Sequence, residues 1–425
     1  NTTGTHNTAC GINALLSNTT AAGNTAVGNN AGAETTTGSA ITAVGYHALE
    51  ENTTGAQNTS VGYQALDDNT TGGQNTAVGA GALGANTTAS HNTAVGLEAL
   101  KTTTIGDYNT AVGAKAMDAV TSGYHNVAVG YDALGAASAA DYNTAIGKGA
   151  LAAATTSDFN TAVGAEALEA NTTGHSNTSI GFRSMESNTE GIRNVSVGYI
   201  SLQSLTTGDR TTALGWQAGL SVTTADYNTF VGANCASSCT TGHSNTAVGD
   251  SALGTCTTGN NNVAIGKSAL ILATTGSNNI AVGNQAGNSV TTGSLNVCIG
   301  EYAGDDITTG SGSVNIGNQA GASHNQDTLT AVGNSALEDN NQIVNTAVGY
   351  HALKECTSGY NAVVGAYAFP ASTTGSNCTG IGNYIGNSVT TGAYNVLVGQ
   401  GAGYNITTGS SNLCLGNHSG MGQLT

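Results

Sequence analysis

The chain has 425 residues, of which 62 are Gly and one is Pro, and only 8% are charged. Eight basic residues against 25 acidic ones give a formal charge of −17, which excludes the basic stripe needed to displace counterions from nucleic-acid phosphates. No apolar run of about 18 residues is present to span a bilayer, and strictly periodic apolar positions set the chain apart from Gly- and Thr-rich disorder.

The first predicted element, around Thr8–Cys10, already belongs to a repeat. Its closing Gly recurs at Gly11, Gly28, Gly45 and Gly62 and onward to Gly317 at a spacing of 17 residues. Three steps of 16 follow through Gly333, Gly349 and Gly365, and the longer spacing returns at Gly382, Gly399 and Gly416. A fixed short period over 25 copies defines a repeat architecture and leaves no room for a separate catalytic domain. The expectation is one repeat domain over residues 1–425, a fragment of a longer fibre because the text starts and stops inside repeats.

Each copy is numbered so that Asn160 is position 1 and Gly164 position 5. Position 4 is Val or Ile, with Leu214, Leu415 and Cys10 as variants; position 2 is mostly Thr and position 3 mostly Ala. Positions 2 and 4 share a face in an extended chain, so the block reads as a strand. Seventeen residues suit one turn of an all-β parallel β-solenoid, or β-roll, and about 25 coils at about 4.8 Å each predict a rod on the order of 120 Å long. Position 5 is never anything but Gly, as at Gly28, Gly45, Gly62, Gly79 and Gly164. It reads as a corner with positive φ, or one too tight for a Cβ. Gly after the Thr pair, at position 15, reads as a second corner.

Position 9 is usually Leu. Where it becomes Gly, position 12 often turns β-branched and apolar: Gly219 with Val222, Gly287 with Val290, Gly304 with Ile307, Gly386 with Val389 and Gly403 with Ile406, with Gly32 and Thr35 fitting only loosely. The two positions are expected to fill one core volume. Gly321, in a short copy, stands outside this rule. Asn at position 1 is expected to form an axial amide ladder.

The blocks Thr76, Ala77, Val78, Gly79 and Val263, Ala264, Ile265, Gly266, with the trailing "NTTG", resemble the shaft repeats of bacteriophage long tail-fibre and tail-spike proteins. They are also similar to the β-roll head repeats of trimeric autotransporter adhesins. The resemblance implies a left-handed solenoid assembled as a homotrimer, placed extracellularly on a virion fibre or cell surface.

Chemistry is sparse. Nine His residues form no ligand spacing, and Asp107, Asp141, Asp158 and Asp226 lack the clustering of calcium-binding repeats. No catalytic constellation stands out, and no cofactor or metal is expected. Cys239 and Cys256 occupy equivalent positions in successive coils, within expected disulfide reach. Phe182, Tyr199 and Trp216 share position 6 in three successive coils, together with Arg183, Arg193 and Arg210, the only three Arg residues. Aromatic faces beside guanidinium groups make this a candidate glycan-binding patch. Rows of Thr at positions 13 and 14 raise ice binding as a rival, and "NTT" triplets at Asn52 and Asn171 are N-glycosylation sequons. The expected function is a non-enzymatic fibre shaft that supports attachment to a host surface. A cell-surface adhesin or self-assembling surface filament is the alternative.

Overall fold

The computed structural model describes residues 2–340, 342 and 344–422; residues 1, 341, 343 and 423–425 of the expected 1–425 domain lie outside the described residues. The chain divides into two compact units, Asn1–Arg210 and Thr211–Thr425. Each is a parallel β-solenoid in which every coil contributes one three-residue strand. The first unit runs from β1 (Thr8–Cys10) to β12 (Val195–Val197) and the second from β13 (Thr212–Leu214) to β25 (Leu413–Leu415), with no helix among the described residues.

Equivalent residues pair in register, as Thr25 with Thr42, Ala26 with Ala43 and Val27 with Val44 in the first unit, or Val263 with Ile280 in the second. The strand face carrying positions 2 and 4 is the outer one. Position 3 points inward, so Ala26, Ala43 and Ala77 are wholly buried while Val27 is 38% exposed and Ile265 39%. Ala at position 8, Leu at position 9 and the residue at position 12 complete the interior, as Ala48, Leu49 and Asn52 do.

Position 5 is Gly for both of the expected reasons. Gly28 has φ +141°, and a Cβ there would sit deep inside contact distance of the Gly45 carbonyl oxygen; Gly45, Gly62, Gly79 and Gly164 repeat the pattern. The second Gly is different. Gly55 lacks a positive φ, but a Cβ on it would collide with the Gly72 carbonyl and the Asn52 amide. The left-handed turns fall instead at positions 7, 9 and 17, and mostly on side-chain-bearing residues, such as His47 (φ 56°), Leu49 (φ 56°) and Gln57 (φ 60°).

A left-handed non-Gly residue costs about 1–2 kcal/mol, and burying a Leu side chain returns about 1.5–3 kcal/mol. Leu therefore holds position 9 only while its volume is needed. Where Gly stands there, the neighbour fills the space. A Cβ on Gly304 would lie 2.8 Å from Ile307 Cδ1, and one on Gly403 would lie 2.9 Å from Ile406 Cδ1. Gly321 obeys the same rule through a polar residue, contrary to expectation: His324 is buried and a Cβ on Gly321 would lie 3.0 Å from its ring. Compensation also crosses coils. Phe369 fills position 9, and the next coil is emptied to Gly380 and Gly386, whose Cβ atoms would each come within 2.7 Å of that ring.

Polar groups are tied along the axis. The position 1 Asn joins its amide mainly to backbone, not to another amide: Asn75 N–H donates to Asn58 Oδ1 (2.9 Å), and Asn58 Nδ2 donates to the Gly72 carbonyl (2.8 Å). The amide-to-amide ladder lies at position 12, where Asn69 Nδ2 donates to Asn52 Oδ1 (2.9 Å) and Asn86 Nδ2 to Asn69 Oδ1 (2.7 Å). The short coil after Gly317 loses its residue from the Thr-Thr-Gly arm. The Asn325 side-chain oxygen accepts the N–H groups of Thr308 (2.9 Å) and Thr309 (2.8 Å) in place of the missing carbonyl, and the strand register from Val314 to Thr330 survives.

Candidate functional site

Strand geometry divides the aromatic and Arg residues grouped by sequence. Position 17 precedes the strand and position 6 follows it, so the whole of β12 separates Arg193 from Tyr199 within one coil. Phe182 and Tyr199 do come together, stacked at 5.5 Å with planes 18° apart. The cation beside them is Arg183, whose guanidinium sits 5.1 Å from the Phe182 ring centre. That cation is already engaged: Arg183 Nε lies 2.6 Å from Glu166 Oε2 and 3.6 Å from Glu186 Oε1. Its hydrogen bond to Glu166 raises the guanidinium further above its usual range and holds the Glu166 carboxyl low. Arg193 and Arg210 are exposed in the first unit, and Trp216, 48% exposed, belongs to the second.

A longer aromatic array escaped the sequence reading. His91, Tyr108, His125, Tyr142 and Phe159 occupy position 17 in five successive coils and stack with centroid separations of 4.6, 5.0, 4.9 and 5.3 Å. The signal was the 17-residue spacing of ring-bearing residues just before the strand. Their faces cover one another, leaving edges to solvent.

Acidic groups cluster on the edge formed by positions 7 and 10. His47, Glu50 and Asp67, and separately Glu166, Glu169 and Glu186, each bring three donor atoms within 4.8 Å. Neighbouring coils supply the members, so linear spacing conceals them. His47 pairs with Glu50, and Arg183 bridges Glu166 and Glu186. Burial, with the Glu50 and Asp68 charges added, pushes the Asp67 carboxyl up to about 6.

Cys239 and Cys256 are the pair that the repeat places within disulfide reach. Both are buried free thiols, directed at the carbonyls of Gly242 and Gly259 (3.5 Å each). The neighbouring Cys256 thiol, together with burial, raises the Cys239 group. The Asp residues considered for calcium serve the backbone: Asp107 Oδ1 accepts the Ser90 N–H and Asp141 Oδ1 the Tyr124 N–H (2.7 Å each). Asn52 and Asn171, the sequon residues, are wholly buried with their amides bonded inside the coil.

No known protein family and no curated protein matches this chain. The surface itself is thus the guide to function, and its largest regular feature is the outer strand face. There, in the first unit, Thr25, Thr42, Thr59, Thr76, Thr93 and Thr110 line one row, and Val27, Val44, Val61, Val78, Val95 and Val112 the other.

Proposed function

We propose that this chain is a non-enzymatic structural segment, the shaft of an extracellular fibre of the tail-fibre kind, supporting attachment to a host surface. The observation that carries the reading is the outward aliphatic row at position 4. A lone solenoid in water has no use for a row in which Val27, Val112, Ile146 and Ile180 are each 37–39% exposed. Twelve coils at about 4.8 Å, with the three-residue strand about 10 Å across, give the first unit a face of roughly 600 Å², and the thirteen strands of the second unit offer a similar one. A standard stable interface needs about 800 Å² from each partner. A second and third copy of this chain are the partners that fit, because a row repeating every coil is matched by another row of the same repeat. The axial ladders of Asn, Thr and backbone supply stiffness along each unit.

Light scattering under native conditions tests the assembly. The expected mass is three times that of the chain. Replacing the outward Val78, Val95 and Val112 together by Lys leaves the circular dichroism unchanged and lowers the mass. A monomeric parent overturns the reading.

The same face favours one second reading, ice binding, because its Thr and Val rows repeat in register over six coils. The rows at position 13 suit that role less: the Thr53 hydroxyl donates to the Thr70 carbonyl (2.9 Å) and Thr274 to Thr291 (3.2 Å). Ice-recrystallisation inhibition by the parent, lost in the triple Lys variant, would replace the shaft reading with this one.

A further inference from the structure

One coil of the first unit lacks every long side chain along one edge. In the copy anchored at Gly79, positions 6, 7 and 10 are Ala80, Gly81 and Gly84. The coil on one side carries Tyr63, Gln64 and Asp67 there, and the coil on the other carries Leu97, Glu98 and Lys101. The result is a transverse groove one coil wide. It encloses about 260 Å³ between Tyr63 and Leu97 and about 300 Å³ between Asp67 and Lys101.

The floor is closed to a ligand's polar groups. Gly81 N–H donates to the Tyr63 carbonyl, and the Ala80 carbonyl accepts the Glu98 N–H (2.9 Å each). Recognition falls to the walls. Tyr63 stacks on Tyr46 at 5.6 Å with planes 5° apart, so one face of its ring is covered and the other opens over Ala80 into the groove. Walls two coils apart stand about 9.6 Å from each other, room for one ring in contact with both. Beside this slot, Gln64 Nε2 donates to Asp67 Oδ2 (3.1 Å) and Lys101 Nζ pairs with Glu98 Oε1 (2.7 Å). These groups retain lone pairs and protons directed at the rim of a ring, and carboxylates outnumber the one ammonium.

The ligand must therefore present an apolar face, a rim of donors and acceptors, and no negative charge. We propose that this groove binds a single neutral pyranose unit, its C–H face on Tyr63 and its hydroxyls on Gln64, Asp67 and the Glu98–Lys101 pair. A flat aromatic compound would match Tyr63 and leave the polar rim unmatched. Within the array from His91 to Phe159 the three inner rings are covered on both faces. The copy anchored at Gly147 also has Gly at position 7, but Lys148 fills position 6 and reaches Glu166 at 3.5 Å.

The test is saturation-transfer NMR with D-galactose, D-mannose and N-acetyl-D-glucosamine, and with N-acetylneuraminic acid as the anionic probe. At least one neutral sugar is expected to receive saturation and the acid none. Tyr63→Ala removes the platform and weakens binding about tenfold. Gly81→Gln fills the groove with the residue that position 7 already carries at Gln64, where φ is 52° against 66° at Gly81, and is expected to abolish transfer with the circular dichroism unchanged and the thermal midpoint lowered by only about 2–4 °C. Ala80→Tyr extends the Tyr46–Tyr63 stack into the slot and carries the test should Gly81→Gln unfold. Tyr360→Ala, an exposed ring of the second unit, leaves binding intact. Failure of all neutral sugars to bind, equal binding of the acid, or undiminished binding to the filled variants overturns the proposal.

Discussion

The two units fill the same coil with different chemistry. In the first, Leu at position 9 accompanies Asn at position 12, and the amides chain together in the runs Asn52–Asn69–Asn86 and Asn171–Asn188. In the second, Gly at position 9 recurs with Val or Ile at position 12, and seven of the eight Cys residues lie there. The interior is occupied in both solutions, by a larger polar pair in the first and a smaller apolar pair in the second. The amide ladder carries a cost at its ends: Asn86 Oδ1 and Asn188 Oδ1 are buried without a partner, because the next coils place Thr103 and Leu205 at position 12. An orphaned buried acceptor costs about 1–3 kcal/mol. The apolar solution has no such ends and depends only on space being filled.

The harshest way to test the comparison is at the corner both units share. Gly62→Ala and Gly283→Ala each drive a Cβ into the next coil's carbonyl at a φ of +140°, and each is expected to lower stability by about 4 kcal/mol or more, read by urea denaturation. Equal losses mean that the corner is indifferent to core chemistry. Asn69→Ala strikes the ladder alone. It removes the donor to Asn52 and the acceptor of Asn86, and the expected loss is about 3 kcal/mol, against about 1 kcal/mol for an Asn exposed to solvent.

Gly287→Leu sharpens the other side. Its Cβ would lie 3.0 Å from Leu270 Cδ2 and 3.4 Å from Val290 Cγ2, so overpacking of about 2 kcal/mol is expected. Adding Val290→Ala reproduces the Leu270–Ala273 pair of the preceding coil and restores most of that loss. A double-mutant coupling near zero would mean that the two positions do not share a volume.

The smallest effect is electrostatic. The folded pKa of Asp67 is raised from 3.8 to about 6, so the folded state holds its proton more tightly and stability falls as pH rises from about 4 through 6. Asp67→Asn is expected to gain on the order of 1 kcal/mol at pH 7, after discounting for solvent screening of a half-exposed group. The gain fades below pH 4 in thermal melts.

The period, the strand at positions 2–4 and the Gly corner were legible in the sequence because they follow from local rules. Side chains alternate along a strand, and a carbonyl packed on Cα admits only Gly. The exchange between positions 9 and 12 was legible too, since volume leaves its mark in composition. The second Gly, at position 15, could be recognised as special, but not as a close contact without positive φ, for the atom it meets belongs to the next coil.

What only the tertiary structure decided is everything set by the stacking of one coil on another. It turned positions 2 and 4 outward, placed Arg193 and Tyr199 on opposite sides of a strand, drew His47, Glu50 and Asp67 into one cluster, and left a groove where Ala80, Gly81 and Gly84 interrupt an edge. Each coil is written in 17 letters, but its neighbours in space are 17 letters away. Contacts between side chains therefore depend on backbone turns, with left-handed Leu and His among them, that residue preferences alone would have argued against.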